Sequence, residues 1–297
     1  MIDRRHFLVG SGAAAISVLT PTVTVAGRRI LPTRRIPGTD ERLAVVGLGN
    51  SNAFRQGDST NSTRLLSTFF ESGGRYVDCG GDSAYLVASI ASTLGHNEQA
   101  FLGSYFSGEN ASESEAGALR LRTIGAKKSV DLMHSYVEDA VPNWDVFKRW
   151  KDNGLTRYIG LARHHKRYYE KMMAVMTTGT VDFIQVNLSP LETEAEDRIL
   201  PMAMDKGIAV TTNRPFINGR YFSIVQGRQL PGWAVEFDCT SWAQFSIKYV
   251  LSHPAVNCVL TETANPNHLQ DNIGGGFGRL PDEPTRKKMR ELIGSFI

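Results

Sequence analysis

A single parallel (β/α)8 barrel is the fold this sequence predicts, and three observations carry the prediction. Eight short β-type runs alternate with helix-length segments, the 297 residues suit one barrel domain, and glycines stand where helices should stop. That alternation favours one closed barrel over an open doubly wound sheet.

The first β run is LAVVGLG (43–49), followed by a helical stretch ending in RLLSTFFESG. RYVDCGG (75–81) precedes YLVASIASTLG, and FLGSYF (101–106) precedes EAGALRLRTIG. VDLMHSY (130–136), TRYIGLAR (156–163) and VDFIQVNLS (181–189) lead into NWDVFKRWKDNG, YYEKMMAVMTTG and ILPMAMDKG. GIAVTTNRPF (207–216) comes before SWAQFSIKYVLSHP, and NCVLTET (257–263) is the eighth run. Gly73-Gly74, Gly95, Gly154, Gly179 and Gly207 fall just past the helices, the position that favours glycine. Gly47-Leu48-Gly49 lacks the third glycine of a dinucleotide fingerprint and reads as a strand-end turn; Gly274-Gly275-Gly276 reads as a flexible turn and not a phosphate cradle.

Residues 1–26 read as an export leader, with 27–297 as the barrel. Arg4-Arg5 sits in a twin-arginine pattern, an apolar stretch runs from Leu8 to Leu19, and Thr24-Val25-Ala26 resembles a cleavage site. The expected location is periplasmic or secreted, with no membrane attachment after cleavage. The formal charge of +3 drops by one without Asp3, Arg4 and Arg5, which points away from nucleic-acid partners. Arg28-Arg29 and Arg34-Arg35 read as a solvated basic tail. Cys79, Cys239 and Cys258 are too few and scattered for a disulfide framework, and no metal site is expected, since His164-His165 lacks metal-ligand spacing.

Long stretches resemble the aldo-keto reductase family: IPGTDERLAVVGLGNSNAF, WKDNGLTRYIGLARHH, VDFIQVNLS, ILPMAMDKGIAV, NRPF, SWAQFSIKYVLSHPAV and NPNHLQDN, spanning about residues 30 to 292. The resemblance implies a barrel whose site lies at the C-terminal ends of the strands. It also implies Asp and Tyr after the second strand, Lys ending the third and His ending the fourth, with the Tyr giving a proton while a nicotinamide gives a hydride. Asp78 matches the Asp. Tyr105 stands at the Lys and Tyr136 at the His, while the loop that should bring the Tyr is shortened. Tyr85 lies nearby and either swings into the mouth or packs on its helix.

A phenol carries no cation to depress a neighbour's pKa, so Asp78 loses its ion-pair partner and is either an acid/base group or a structural remnant. The expected arrangement has Tyr105 and Tyr136 flanking Asp78, with no Lys or His within hydrogen-bond reach. His134, two residues before Tyr136, should face inward one layer deeper, as a core histidine or as part of the cavity. For the cofactor, the resemblance assigns Gln185 to the nicotinamide amide, Phe216 to ring stacking, and Thr263, His268 and Asn272 to the adenosine phosphate. Ala162 and Glu262 oppose binding, and Arg163, Arg214 or Arg279 are candidates to compensate. NADP or NAD is therefore expected to bind weakly. The functional expectation is an exported monomer of that family that binds a small molecule or runs non-hydride acid/base chemistry. Two alternatives stand beside it: an NAD(P)H-dependent carbonyl oxidoreductase with a substitute Tyr, and an inactive structural or interaction barrel.

Overall fold

The computed structural model describes residues 23–25 and 28–297. Arg4, Arg5 and the apolar stretch of the predicted leader lie outside the described residues. Val23–Val25, its last described piece, pairs antiparallel with Arg28–Ile30. Among the described residues no helix is long and apolar enough to cross a membrane.

Eight strands close into a barrel: β1 (Val46–Leu48), β2 (Tyr76–Asp78), β3 (Phe101–Tyr105), β4 (Val130–Tyr136), β5 (Thr156–Ala162), β6 (Phe183–Asn187), β7 (Ala209–Asn213) and β8 (Val256–Thr261). Each pairs in parallel with the next, and β8 returns to β1. Eight helices follow in step: α1 (Ser59–Glu71), α2 (Asp82–Thr93), α3 (Ala111–Ile124), α4 (Trp144–Asp152), α5 (Tyr169–Met176), α6 (Ile199–Lys206), α7 (Trp242–Leu251) and α8 (Pro266–Gly274). A further helix, α9 (Glu283–Gly294), packs behind them. The predicted (β/α)8 order is thus the observed one.

Local chemistry sets the helix limits. Asp58 and Ser241 each accept a hydrogen bond from a first-turn backbone N–H of α1 and α7. Gly73, Gly95, Gly154, Gly179 and Gly207 all adopt positive φ beyond helix ends, a conformation that is strained for other residues.

Two apolar layers hold the barrel. One fills the space between strands and helices, with Leu65, Phe69, Trp150, Met172 and Phe245 among its buried members. The other fills the lower interior with Tyr76, Phe101, Leu132 and Phe183, and Ile36 and Leu43 close it from below. The phenol of Tyr76 would collide with any side chain at residue 103, where an added Cβ would lie 2.6 Å from its hydroxyl. Gly103 therefore lets β3 approach β2 beneath the site.

Two features depart from expectation. Arg34 is no tail residue: it is buried, and its guanidinium donates to the carbonyls of Leu251, His253 and Val256, where α7 ends and β8 begins. The Gly274–Gly276 turn is packed, because a Cβ on Gly275 would lie 2.7 Å from Ile247 and one on Gly276 2.6 Å from Leu31. All three cysteines are buried and free.

Candidate functional site at the barrel mouth

Strand alternation turns Tyr76 and Asp78 of β2 to the inside, and the other strand ends add polar groups around them. Asp78 is buried at the floor of a cavity of ≈ 930 Å³ at the barrel mouth. Its Oδ1 accepts from the Tyr76 hydroxyl at 3.1 Å, and its Oδ2 accepts from Gln185 Nε2 at 2.9 Å. Gln185 in turn accepts through Oε1 from the Tyr105 hydroxyl at 2.9 Å and from Asn213 Nδ2 at 3.0 Å. One side-chain amide thus ties β2, β3, β6 and β7 together.

His134 corrects the expectation that no His would reach Asp78. Its Nε2 lies 2.9 Å from Asp78 Oδ1, buried under the Tyr105 ring, whose centroid is 4.2 Å from the imidazole. The carboxyl oxygen sits off the line a ring N–H needs, so the contact is one of close polar approach without an aligned hydrogen bond. The inward, deeper placement of His134 is as expected, and Asp78 is well partnered instead of bare. Among the described residues no lysine lines the cavity.

Tyr136 lines the rim, nearly half exposed, with its ring 5.1 Å from that of Tyr105. It leaves Asp78 to Tyr76, which sequence reasoning missed although two-residue alternation with Asp78 marked it as inward-facing. Tyr85 is removed from the mouth altogether. It packs in the groove between α2 and α3, its hydroxyl directed at Gly117 O at 3.4 Å and the Arg120 guanidinium 4.3 Å above its ring. Burial, and then the field of Asp78, push the Tyr105 hydroxyl well above the usual phenol range. The same causes act on Tyr76.

The wall carries Arg55, Arg163, His164, Arg214, Phe216 and Glu262. Arg163 is committed: it donates from Nε to Glu138 at 3.0 Å and lies 4.5 Å and 4.6 Å above the Tyr136 and Tyr168 rings. Arg55 lies 3.6 Å from Glu262, whose carboxyl is raised by its partial burial in the wall, Arg55 opposing the shift. Phe216 sits on the wall, its ring 4.8 Å from that of Phe222. Thr263, His268 and Asn272 do not line the cavity. Thr263 accepts from the Asn265 N–H, His268 is exposed on α8, and Asn272 is buried within that helix. Thr263 follows β8 while His268 and Asn272 lie on α8, so the three stay on one segment outside the cavity. Arg279 is likewise elsewhere, paired with Asp238 at 2.9 Å. Among the described residues no group of three or more His, Cys, Asp or Glu is gathered as a metal site.

The Aldo/keto reductase family profile matches residues 45–287, from the first barrel strand into the last helix. The chain belongs to the aldo/keto reductase family. Among curated proteins no sequence matches this aldo/keto reductase family chain. Solved structures share its fold. An aldo-keto reductase from Bacillus halodurans in its holo form superposes with a TM-score of 0.69 at 16% identity, over 88% of this chain and 95% of that one. One from Klebsiella pneumoniae, in complex with NADP and acetate, gives 0.71 at 14%, over 86% and 93%. The glycerol dehydrogenase of Gluconobacter oxydans gives 0.71 at 15%, over 89% and 96%. At such identities the likeness speaks for the barrel, and the chemistry must be argued from the mouth residues of this family member.

Proposed function

We propose that this aldo/keto reductase family barrel binds a small molecule at its mouth and has lost ordinary hydride-coupled carbonyl reduction. One observation carries the reading: the phenol of Tyr105, at the end of β3, is hydrogen-bonded to Gln185 and lies in the field of Asp78, on a wall without lysine. A neighbouring ammonium would lower a phenol's pKa and ready it to release a proton; burial beside a carboxyl does the reverse. Tyr136 is the more exposed phenol, but the one cation over its ring, Arg163, is bound to Glu138.

The residues present fit a nicotinamide dinucleotide poorly. Gln185 already spends both acceptor positions and one donor on Tyr105, Asn213 and Asp78, which leaves a single N–H for a carboxamide in place of a donor and an acceptor together. Arg163 is bound to Glu138, and Glu262 sets a carboxyl on the wall near the expected phosphate position. A second reading, an NAD(P)H-dependent oxidoreductase with a substitute proton donor, draws support from Phe216 on the wall and from the Klebsiella pneumoniae structure with NADP.

Fluorescence titration of the purified protein with NADPH and NADH, followed by reduction of nitrobenzaldehyde, tests the choice. The expected outcome is weak binding with NADPH no tighter than NADH, and rates lower by about 10²- to 10⁴-fold, the usual worth of general-acid assistance. Submicromolar NADPH affinity or an ordinary reductase rate would overturn the proposal. The proposed setting is outside the cytoplasm, as a monomer, after export directed by Arg4-Arg5.

A further inference from the structure

One cation and one imidazole, whose pKa burial and the neighbouring arginines hold below the usual histidine range, stand on the cavity wall without a hydrogen-bond partner. The guanidinium of Arg214 makes no hydrogen bond, its Nε is buried, and the nearest carboxylate oxygen, Glu192 Oε1, is 3.6 Å from its Nη2. The half-buried His164 ring lies within the field of Arg214 and Arg163, with no hydrogen bond of its own. This patch lies past the ends of β5 and β7, with β6 between them and β8 on the far side of β7.

Beside Arg214, Asn213 Oδ1 is also buried without a partner. Its identity as an acceptor follows from a chain of contacts. Asp78 offers acceptors, so Gln185 must turn its Nε2 toward it, which leaves Oε1 facing Asn213 and forces Asn213 to donate Nδ2. The outward atom is then the oxygen. Arg214 holds φ at +55°, in the left-handed region that a long side chain seldom adopts. Unmet donors, an unmet acceptor and a strained backbone thus coincide on one wall, and buried groups of this kind call for a partner of complementary chemistry.

Resting on the small-molecule reading above, we infer that the mouth takes a hydroxylated anion: its carboxylate or phosphate is seated against His164 and Arg214, and a neighbouring hydroxyl donates to Asn213 Oδ1. The anion supplies acceptors to two donors and the hydroxyl supplies a proton to the one orphan acceptor. Glu192 at 3.6 Å is a weak competitor for Arg214, and Glu138 is turned to Arg163.

Calorimetric titration with sorbitol, gluconate, sorbitol 6-phosphate and NADH tests this. At least one of the two charged polyols should bind about tenfold or more tighter than sorbitol, the scale of one charge-assisted contact. That preference should weaken with added KCl. Arg214→Asn, chosen because Asn tolerates the left-handed backbone, should reduce the anion to the affinity of sorbitol, while Arg214→Lys should retain part of the preference. Gluconate above sorbitol 6-phosphate identifies a carboxylate source and the reverse a phosphate ester. NADH above both identifies a dinucleotide diphosphate, which supports the anion seat but overturns the free hydroxylated anion. Equal affinity for sorbitol and the anions, no binding by any of the four, or an Arg214→Asn protein that keeps the full preference would overturn the inference. Should the Asn variant not fold, the salt dependence of the native protein still decides it. Rapid NADPH-dependent aldehyde reduction, by contrast, would sink the proposed function and leave the polyol selectivity to be judged on its own result.

Discussion

Gln185 holds more of the mouth together than any residue assigned a chemical role by resemblance. Leucine there would leave Asp78 Oδ2, the Tyr105 hydroxyl and Asn213 Nδ2 without partners at once. Each orphaned buried polar group costs about 1–3 kcal/mol, and partial access of water from the mouth reduces the sum, so Gln185→Leu should lose about 3 kcal/mol in urea unfolding. A loss of a few tenths would show that the three contacts are incidental. The sequence made Asp78, Tyr105 and Gln185 readable as inward-facing residues at strand ends. It did not reveal that Gln185 would be used internally, since a residue's partners depend on register between strands far apart in the chain. His134 shows the same limit: alternation placed it one layer below Tyr136, but only pairing of β3 with β4 in the register Tyr105 to His134 brought it beneath Tyr105 and against Asp78.

At the scale of elements, α7 carries an unusual load. Lys248 is fully buried in it and donates to the carbonyls of Phe277 and Arg279, while Arg34 caps its C-terminal end. Burial lowers the Lys248 pKa from 10.5 to about 8. At this group the unfolded chain then binds more protons than the folded one between those values, so the lysine's contribution to stability should rise with pH from about 8 upward. The buried thiols of Cys79, Cys239 and Cys258, and tyrosines such as Tyr249, are all held above their ordinary ranges and act in the opposite sense once their unfolded counterparts ionise above about pH 8.5, so the lysine is read by difference. From pH 7 to pH 9 the urea midpoint of the native protein should gain on that of Lys248→Met; parallel profiles would exclude Lys248 as the source. The helix itself was evident from its helix-length segment between the seventh and eighth β runs. The buried lysine was not, because a charged side chain in a helical pattern ordinarily marks the solvated face. Arg34 misled the reading for a related reason: four arginines near the start of a chain look like a tail until the carbonyls at the end of α7 are known to face one of them.

For the whole molecule, the proposed export rests on residues outside the structural description, so its test is cellular. Arg4→Lys with Arg5→Lys should hold the precursor in the cytoplasm, and secreted native protein should begin near Gly27. Unchanged export of the double variant would point to another route. Cleavage there keeps Arg34 at the base of the barrel, although it separates Val23–Val25 from its partner Arg28–Ile30. The sequence by itself determined the barrel, because repeated β runs, helical periodicity and glycine stops are local signals that act within about twenty residues. It also determined which residues would stand at the ends of strands. Only the closed structure decided what those residues would do, since β1 and β8 meet across more than two hundred residues and every contact of Asp78 with β4 and β6 depends on that closure. Polar interactions in a buried floor are settled by ångström distances between such strands, and no local pattern encodes those.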